Sequence, residues 1–542
     1  MSGATLASDV GIADAFLDHH LTLHPVDATF MGIRGYDRML PRADAGVAAE
    51  ERRSITALRA RLARETRDTN AARIDARMIT GELDVAEAAL DARPRWHNPA
   101  WFTGEAAFGL ISLLLPQAAP YDPEAIAARL DAIPDFLADG RARLRERGRA
   151  PAGWCERARR EARASASFLA SGLTLHETWR TDWHEPAKAA AEAFEAFASS
   201  LDQLDPCDAA AGAAHLDLVM RAQHGLDAGP VALAAAAQAA FERLTLELEE
   251  DARAFGPGQE WQHITAGLGE RFPAHPDDVV SRYRHWHEEA QQQAASLVTP
   301  ALEYGLDYRP LSSPFQQVAA EMYFLFYRSP PPAAAGTGSV YWVMPSAGDA
   351  QAYLRSQNES LVKLVHAVHH GSIGHHTHNA RARTAGSVLA RVAGTDCALG
   401  IAFLSGGMAV EGWACHAEDL MAEVPGFYDP AELLLLKQYE RRNAASVLVD
   451  VRLHLRIWSE AEAERFYRDE AGFPPQRARA EVVRNTMFPG SRLMYWAGVE
   501  AIRALRRRWR GDTRSFHDTL LQFGHVPMAA IEESMAGHGL LK

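Results

Sequence analysis

PEAIAARLDAIPDFLADGRARLRER, Pro123–Arg147, reads as one long amphipathic helix rich in Ala, Leu, Arg and Glu. The same texture returns at Glu50–Arg67, Val231–Ala254 and Pro276–Leu297. In the second half it returns at Asp349–His370, Ala398–Ala422, Pro430–Trp458, Pro474–Met487, Ser491–Arg510 and Thr513–Phe523. Prolines and short polar breaks separate these runs. No fixed-period repeat is visible, so a helical solenoid is not indicated. The expected fold is mostly α, a large multi-helix assembly. One low-complexity break, SPPPAAAGTGS at Ser329–Ser339, precedes VYWVM at Val340–Met344, a short strand. At most a small β element is therefore expected near 338–345. The break is taken as a loop inside a single unit spanning 1–542, with a helical half at 1–328 and the chemistry in a helical half at 340–542.

The chain has 542 residues, 47% of them apolar and 23% charged, ample for a large core and unlike a disordered or fibrous protein. With 56 Lys+Arg against 70 Asp+Glu, the net charge is −14, which argues against a nucleic-acid partner. Lysine is confined to Lys188, Lys363, Lys437 and Lys542, and alanine is abundant, as a GC-rich genome would give. Cys155, Cys207, Cys397 and Cys415 fall at no CxxC spacing, so neither a disulfide framework nor a cysteine zinc ribbon is expected. MSGATLASDVGIADAF shows no secretory leader. The most apolar internal stretch, Ala398–Val410, is too short and glycine-rich for a membrane span. A cytoplasmic protein with no membrane partner is the expectation.

Histidine carries the chemical signal. Six of the 23 lie between His366 and His378, in LVHAVHHGSIGHHTHN. Such clustering points to a metal or proton-transfer site. His366 and His370 meet the i, i+4 rule for sharing a helical face. His369 and His375 are six residues apart, about 120° off each other on an ideal helix. They share an ion only if the helix is bulged or broken, which Gly371 and Gly374 permit. A second constellation, VEGWACHAEDLMAE, puts Glu411, Cys415 and Glu418 on one helical face. A third, SVLVDVRLHLRIW, pairs Asp450 with His454 at i, i+4 among apolar neighbours. That pair is either a carboxylate orienting a working imidazole or a buried salt bridge. Finally, FPGSRLMYWAG starts a helix that presents Arg492 and Tyr495 together.

Taken in order, these segments resemble the bacterial domain of unknown function 885, a helical, metallopeptidase-like family. HPVDATFMGIRGYDRMLP (His24–Pro41) looks like its opening segment and HHGSIGHH like its HExxPGHH motif. EGWACHAE resembles EGWALYAE, VDVRLH resembles VDTGLH, and PGSRLMYWAG resembles PGQAxxYxxG. The resemblance implies His369, His375 and Glu411 as metal ligands, with His376 a substitute for His375. Zinc is the implied cofactor, although histidine and carboxylate donors also suit iron, manganese or nickel. Tyr495 would donate to an oxyanion, and His454, backed by Asp450, would do the same or bind substrate. Glu418 and His376 would support the ligands.

The chain departs from the family at the general-base glutamate, which is His370 here. A neutral imidazole can accept a proton, but beside a dication its protonated form is penalised. Arg492, where the family has alanine, suggests an anionic substrate group. The leading expectation is thus a metal-dependent hydrolase acting on a small amide, peptide or related acyl compound. The alternatives are a lyase or isomerase in which His370 moves a proton, and a non-catalytic binding descendant.

Overall fold

The computed structural model describes residues 11–116, 121–322, 326–334, 338–346 and 348–542. Its architecture is mostly α, as expected. The helix expected at Pro123–Arg147 occupies those residues, with the Asp122 side chain accepting from the first-turn N–H groups of Glu124 and Ala125 and Gly148 left-handed past its end. Several expected helices are shorter than their apolar runs, two of them most of all. The 349–370 run is cut because Asn358 accepts hydrogen bonds from the N–H groups of Ser360 and Leu361, starting a new helix. The 398–422 run becomes helical only at Gly407–Ala422, and Asp396 and Ile401 form an isolated antiparallel bridge before it.

The chain divides into two compact units, but not at a single cut near 328–340. One unit takes the described residues of Met1–Ala209, Leu311–Thr337 and Gly386–Phe403; the other takes Ala210–Pro310, Gly338–Ala385 and Leu404–Lys542. Composition marked the loop and not the exchange of segments, because a crossover needs no special residue type.

In the first unit, helices Pro99–Leu114, Pro123–Arg147, Ala152–Ser167 and His184–Ser200 pack on one another. Arg129 sits at their heart, fully buried, and donates to the carbonyls of Met39, Gly109, Pro25 and Tyr36 and to the hydroxyls of Ser112 and Thr29. The family-like opening segment is therefore a scaffold, tied down by one guanidinium spending its donors on backbone oxygens.

In the second unit, Pro230–Ala252 packs along Pro430–His454, and Gly407–Ala422 packs along Leu493–Arg508. The latter pair crosses where Gly412 meets Gly498; a Cβ on Gly412 would fall 2.5 Å from the Gly498 carbonyl carbon. Strands Leu306–Pro310 and Ser339–Val343 run parallel, with Tyr308 opposite Tyr341. The β element expected near 338–345 is therefore present, and a second, unexpected one pairs Arg149–Ala150 with Asp205–Pro206 in the first unit.

Candidate metal centre

The histidine segment Val362–His370 winds as a π-helix, with nine residues in that form. It ends at Gly371, and a regular helix restarts at His375–Ala382. At its two ends, Gly371 and Gly374, the turn leaves no room for a side chain. A Cβ on Gly374 would land on the carbonyl oxygens of His369 and Val368, and one on Gly371 on the Tyr308 hydroxyl and the Ala367 carbonyl oxygen. The turn is fastened from outside. The Ser372 N–H donates to His287 Nδ1 at 3.0 Å, and Trp413 Nε1–H donates to the Ile373 carbonyl at 2.9 Å. Burial pushes His287 down to about 3, so it stays neutral and free to accept that bond. This wide helix followed by a tight turn is the bulge that lets residues six apart face one point.

Glu411 lies beside both His369 and His375, while among the described residues the trios whose donor atoms all lie within 4.8 Å of one another are His369–His370–His375 and His369–Cys415–Glu418. Glu411 Oε2 lies 3.7 Å from His369 Nε2 and 3.5 Å from His375 Nε2. Two donors bound tetrahedrally to one ion at about 2.1 Å are separated by about 3.4 Å. The opposite ring nitrogen, His369 Nδ1, meets Glu418 Oε1 at 2.6 Å. A carboxylate gripping the far side of a histidine fixes its tautomer and aims Nε2 inward, the usual support for a ligand imidazole. Glu411 and Glu418, seven apart on helix Gly407–Ala422, thus embrace His369 from both sides. His370 completes a trio with His369 and His375 in which one nitrogen from each lies within 4.8 Å of the others. Cys415, on the same face as Glu418, is also within reach of His369.

The electrostatics follow from burial among these partners. Burial would lower the pKa of His369, but Cys415, Glu411 and Glu418 gathered around it outweigh that and raise it well above the usual range. Burial would raise Glu411, yet His369 and His375 hold it well below the usual carboxylate range. His370 is driven well below its ordinary value by burial, reinforced by His369 and His375. The Cys415 thiol is pushed up to about 12, chiefly by burial. Three imidazoles and two carboxylates, with His370 and Glu411 half-buried and the others buried, make a donor set that fits a dication.

Tyr495 lies on helix Leu493–Arg508, one turn before the Gly412–Gly498 crossing. Burial, and then the charge of Glu411, raise its pKa above the ordinary phenol value. Its hydroxyl forms no hydrogen bond among the described residues.

Other candidates are occupied elsewhere. His376 turns away: its Nδ1 meets the Ser339 hydroxyl at 2.9 Å and its Nε2 the Tyr304 carbonyl at 3.0 Å. It holds the strand, not the ion, and does not replace His375. His454 accepts from the Ala211 N–H at 3.0 Å and donates to the Asn485 carbonyl at 3.1 Å, leaving no ring nitrogen for substrate. Asp450 lies 3.2 Å from His454 Nε2 and accepts from the Arg492 N–H at 3.2 Å. Arg492 does not await an anionic substrate: its buried guanidinium is paired with Glu481, itself buried. Glu481 comes from helix Pro475–Met487, and nothing in the PGSRLMYWAG motif points to it. Sequence reading also missed His287, which holds the turn, and Tyr341, whose hydroxyl meets His366 Nδ1 at 2.5 Å. An aromatic in a short buried strand carries no signal of this kind.

The profile of the family described as "Bacterial protein of unknown function (DUF885)" matches residues 25–535. No curated protein matches the chain. Among solved structures, a "putative lipoprotein of unknown function" from Shewanella oneidensis is similar, with TM-score 0.76 and 20% identity over 97% of this chain and 99% of that one. A "putative lipoprotein" from Colwellia psychrerythraea follows, with TM-score 0.72 and 16% identity over 98% of each chain. At these identities the likeness is one of fold. The lipoprotein descriptions run against the cytoplasmic residence expected from the sequence, and that expectation is withdrawn. It rested on the lack of a legible leader in the opening residues and of an apolar stretch long enough to span a membrane. Among the described residues no helix is long and apolar enough to cross a membrane.

Proposed function

The chain belongs to the DUF885 family, and we propose that it is a metal-dependent enzyme of hydrolase type acting on a small amide, peptide or related acyl compound. The observation that carries this reading is Glu411 facing the Nε2 atoms of His369 and His375 at 3.7 and 3.5 Å, with Glu418 fixing the far nitrogen of His369. His369, His375 and Glu411 would hold the ion, zinc or another divalent transition metal. Such an ion supplies Lewis acidity, polarising a carbonyl and acidifying water. The protein's own contribution is to orient the donors, and to offer the unengaged Tyr495 hydroxyl to a developing oxyanion. Its raised pKa keeps Tyr495 protonated at neutral pH, as a donor must be.

The anionic substrate suggested by Arg492 has no support here, because Glu481 already neutralises that arginine. A second reading, a lyase or isomerase, draws on one observation: residue 370 is histidine, so no carboxylate follows the first ligand to take a proton from water. Elemental analysis of protein made without a histidine tag, alongside an amide and ester screen, tests the proposal. One equivalent of a divalent metal, with cleavage lost in Glu411→Gln, supports it. Metal without hydrolysis but with another product favours the second reading, and no metal removes both.

A further inference from the structure

His370, next in sequence to His369, places a ring nitrogen within 4.8 Å of donor nitrogens of both His369 and His375. Given the metal centre proposed above, we propose that His370 is a fourth protein ligand: His369, His370 and His375 form a three-nitrogen cap, and Glu411 supplies the oxygen, on a first-row divalent transition ion.

Ring geometry carries the argument. A bound imidazole keeps its ring centre about 3.2 Å from an ion held at about 2.1 Å, so two such rings lie about 4.5 Å apart at a right angle and about 5.3 Å apart at the tetrahedral angle. The observed ring centres are 4.8 Å apart for His369–His375, 4.9 Å for His369–His370 and 5.7 Å for His370–His375. The first two fall within that range, and the third corresponds to a wider angle of about 126° at a common ion, as a site with more than four positions allows. Adjacent residues on a regular helix diverge by about 100°, but the π-wound segment turns less per residue and keeps the two rings together.

A second observation concerns partners. His370 Nδ1 is buried and has no hydrogen-bond partner among the described residues. Each ring nitrogen of His376, five residues downstream of Gly371, has found a protein oxygen, whereas His378 Nδ1 is left without one as well, so it is the place of the His370 ring in the donor trio that gives its orphan nitrogen a use. The ring of His370 is also backed by His366, stacked at 6.2 Å, and by Tyr341 at 6.0 Å, which leaves it facing the cluster. A base would instead need an acceptor nitrogen held away from the other two donors, beside the position open to substrate. Three nitrogens and one oxygen make a richer donor set than the two-histidine, one-carboxylate site of a zinc peptidase. Substrate then needs a fifth position, which favours ions that readily exceed four-coordination.

The test uses the full chain, stripped with chelator and reloaded with Cu(II) or Co(II). Pulsed EPR of the Cu(II) form counts coordinated imidazoles and needs no variant; three are expected. His370→Gln should reduce the count to two and raise the Kd for Co(II), measured against a competing chelator, by at least about 100-fold, more than loss of a supporting residue costs. Two imidazoles in the wild type, with His370→Gln binding within about threefold of it, overturn the fourth ligand. They leave the metal centre standing if His375→Gln abolishes binding. A wild-type chain that takes up neither ion overturns both.

Discussion

Two buried histidine–carboxylate clusters sit in the same unit, and they are put to different uses. At His369 the partners are side chains: Glu418 on Nδ1 at 2.6 Å, and Glu411 facing Nε2 across 3.7 Å, a gap too wide for a good hydrogen bond and close to the span of two donors on one ion. At His454 the partners are backbone groups, the Ala211 N–H and the Asn485 carbonyl, with Asp450 alongside at 3.2 Å. Both clusters offered helical spacing and an acid beside an imidazole. What separates them is whether the ring nitrogens are already spent. A histidine bonded to two peptide groups is a strut; one set between carboxylates across a gap can change what it holds.

The largest effects should split along that line. Arg492→Met strips Glu481 of its buried partner and should cost about 3 kcal/mol, at the low end for a broken buried pair because Arg477 still reaches Glu481. Metal content should not change. Glu411→Gln should do the reverse: at least about a 100-fold loss of metal affinity, with the denaturant midpoint of the stripped protein hardly moved. Arg492→Met with Glu481→Met should recover most of the stability, since an apolar pair of similar volume carries no desolvation penalty. Metal loss in Arg492→Met would place that cluster back in the active centre.

Acid sharpens the contrast. Burial holds His287 and His378 down to about 3 and His224 to about 4, while His369 is raised well above the usual range by its carboxylates and thiol, against burial. A lowered histidine binds its proton more readily unfolded than folded, so its stabilisation is complete above about pH 6.5 and is lost as pH falls towards 4–3. His369 has the opposite sign in metal-free protein: its stabilisation is present below about 6.5 and is lost as pH rises through its folded value. Since His370 and several other buried histidines are lowered in the same way against one raised, urea midpoints of chelator-treated protein should fall steadily from pH 7 to 5. His287→Gln should flatten that slope while weakening the turn at Ser372. A midpoint that rises on acidification would mean that the carboxylate-held histidine outweighs the struts.

Much of this was legible in the sequence, and the rest was not for a physical reason. Helical periodicity located Pro123–Arg147, and the glycines at 371 and 374 announced a break where His369 and His375 come together. Face spacing placed Glu411 and Glu418 on one stripe. These are local signals, fixed by residues within a turn or two. Arg492 and Glu481 are eleven residues apart on different helices, and His287 reaches Ser372 across 85 positions. No short-range pattern records such pairings, so an arginine that is neutralised within the fold looked like one waiting for a ligand. The helix end at Gln357 was missed for a related cause: an Asn358 side chain capping the next helix outranks an unbroken apolar run.

Tyr495 gives the smallest expected change in stability and the most direct separation of chemistry from scaffold. Its hydroxyl makes no hydrogen bond among the described residues, so Tyr495→Phe removes no partner and should shift stability by less than about 0.5 kcal/mol. The ring stays and keeps its packing near Arg492, whose guanidinium carbon lies 5.6 Å from the ring centre. Metal content should be unchanged, because Glu411, His369 and His375 are untouched. Turnover, once a substrate is found, should fall by about 10²–10³ in kcat with little change in KM, since an oxyanion donor acts on charge that develops only in the transition state. A raised KM at constant kcat would make Tyr495 a substrate contact, and unchanged kinetics would make it packing. If His370 also proves to be a ligand, Tyr495 is the one predicted catalytic side chain left without a protein partner, and its hydroxyl proton becomes the first place to look for proton transfer.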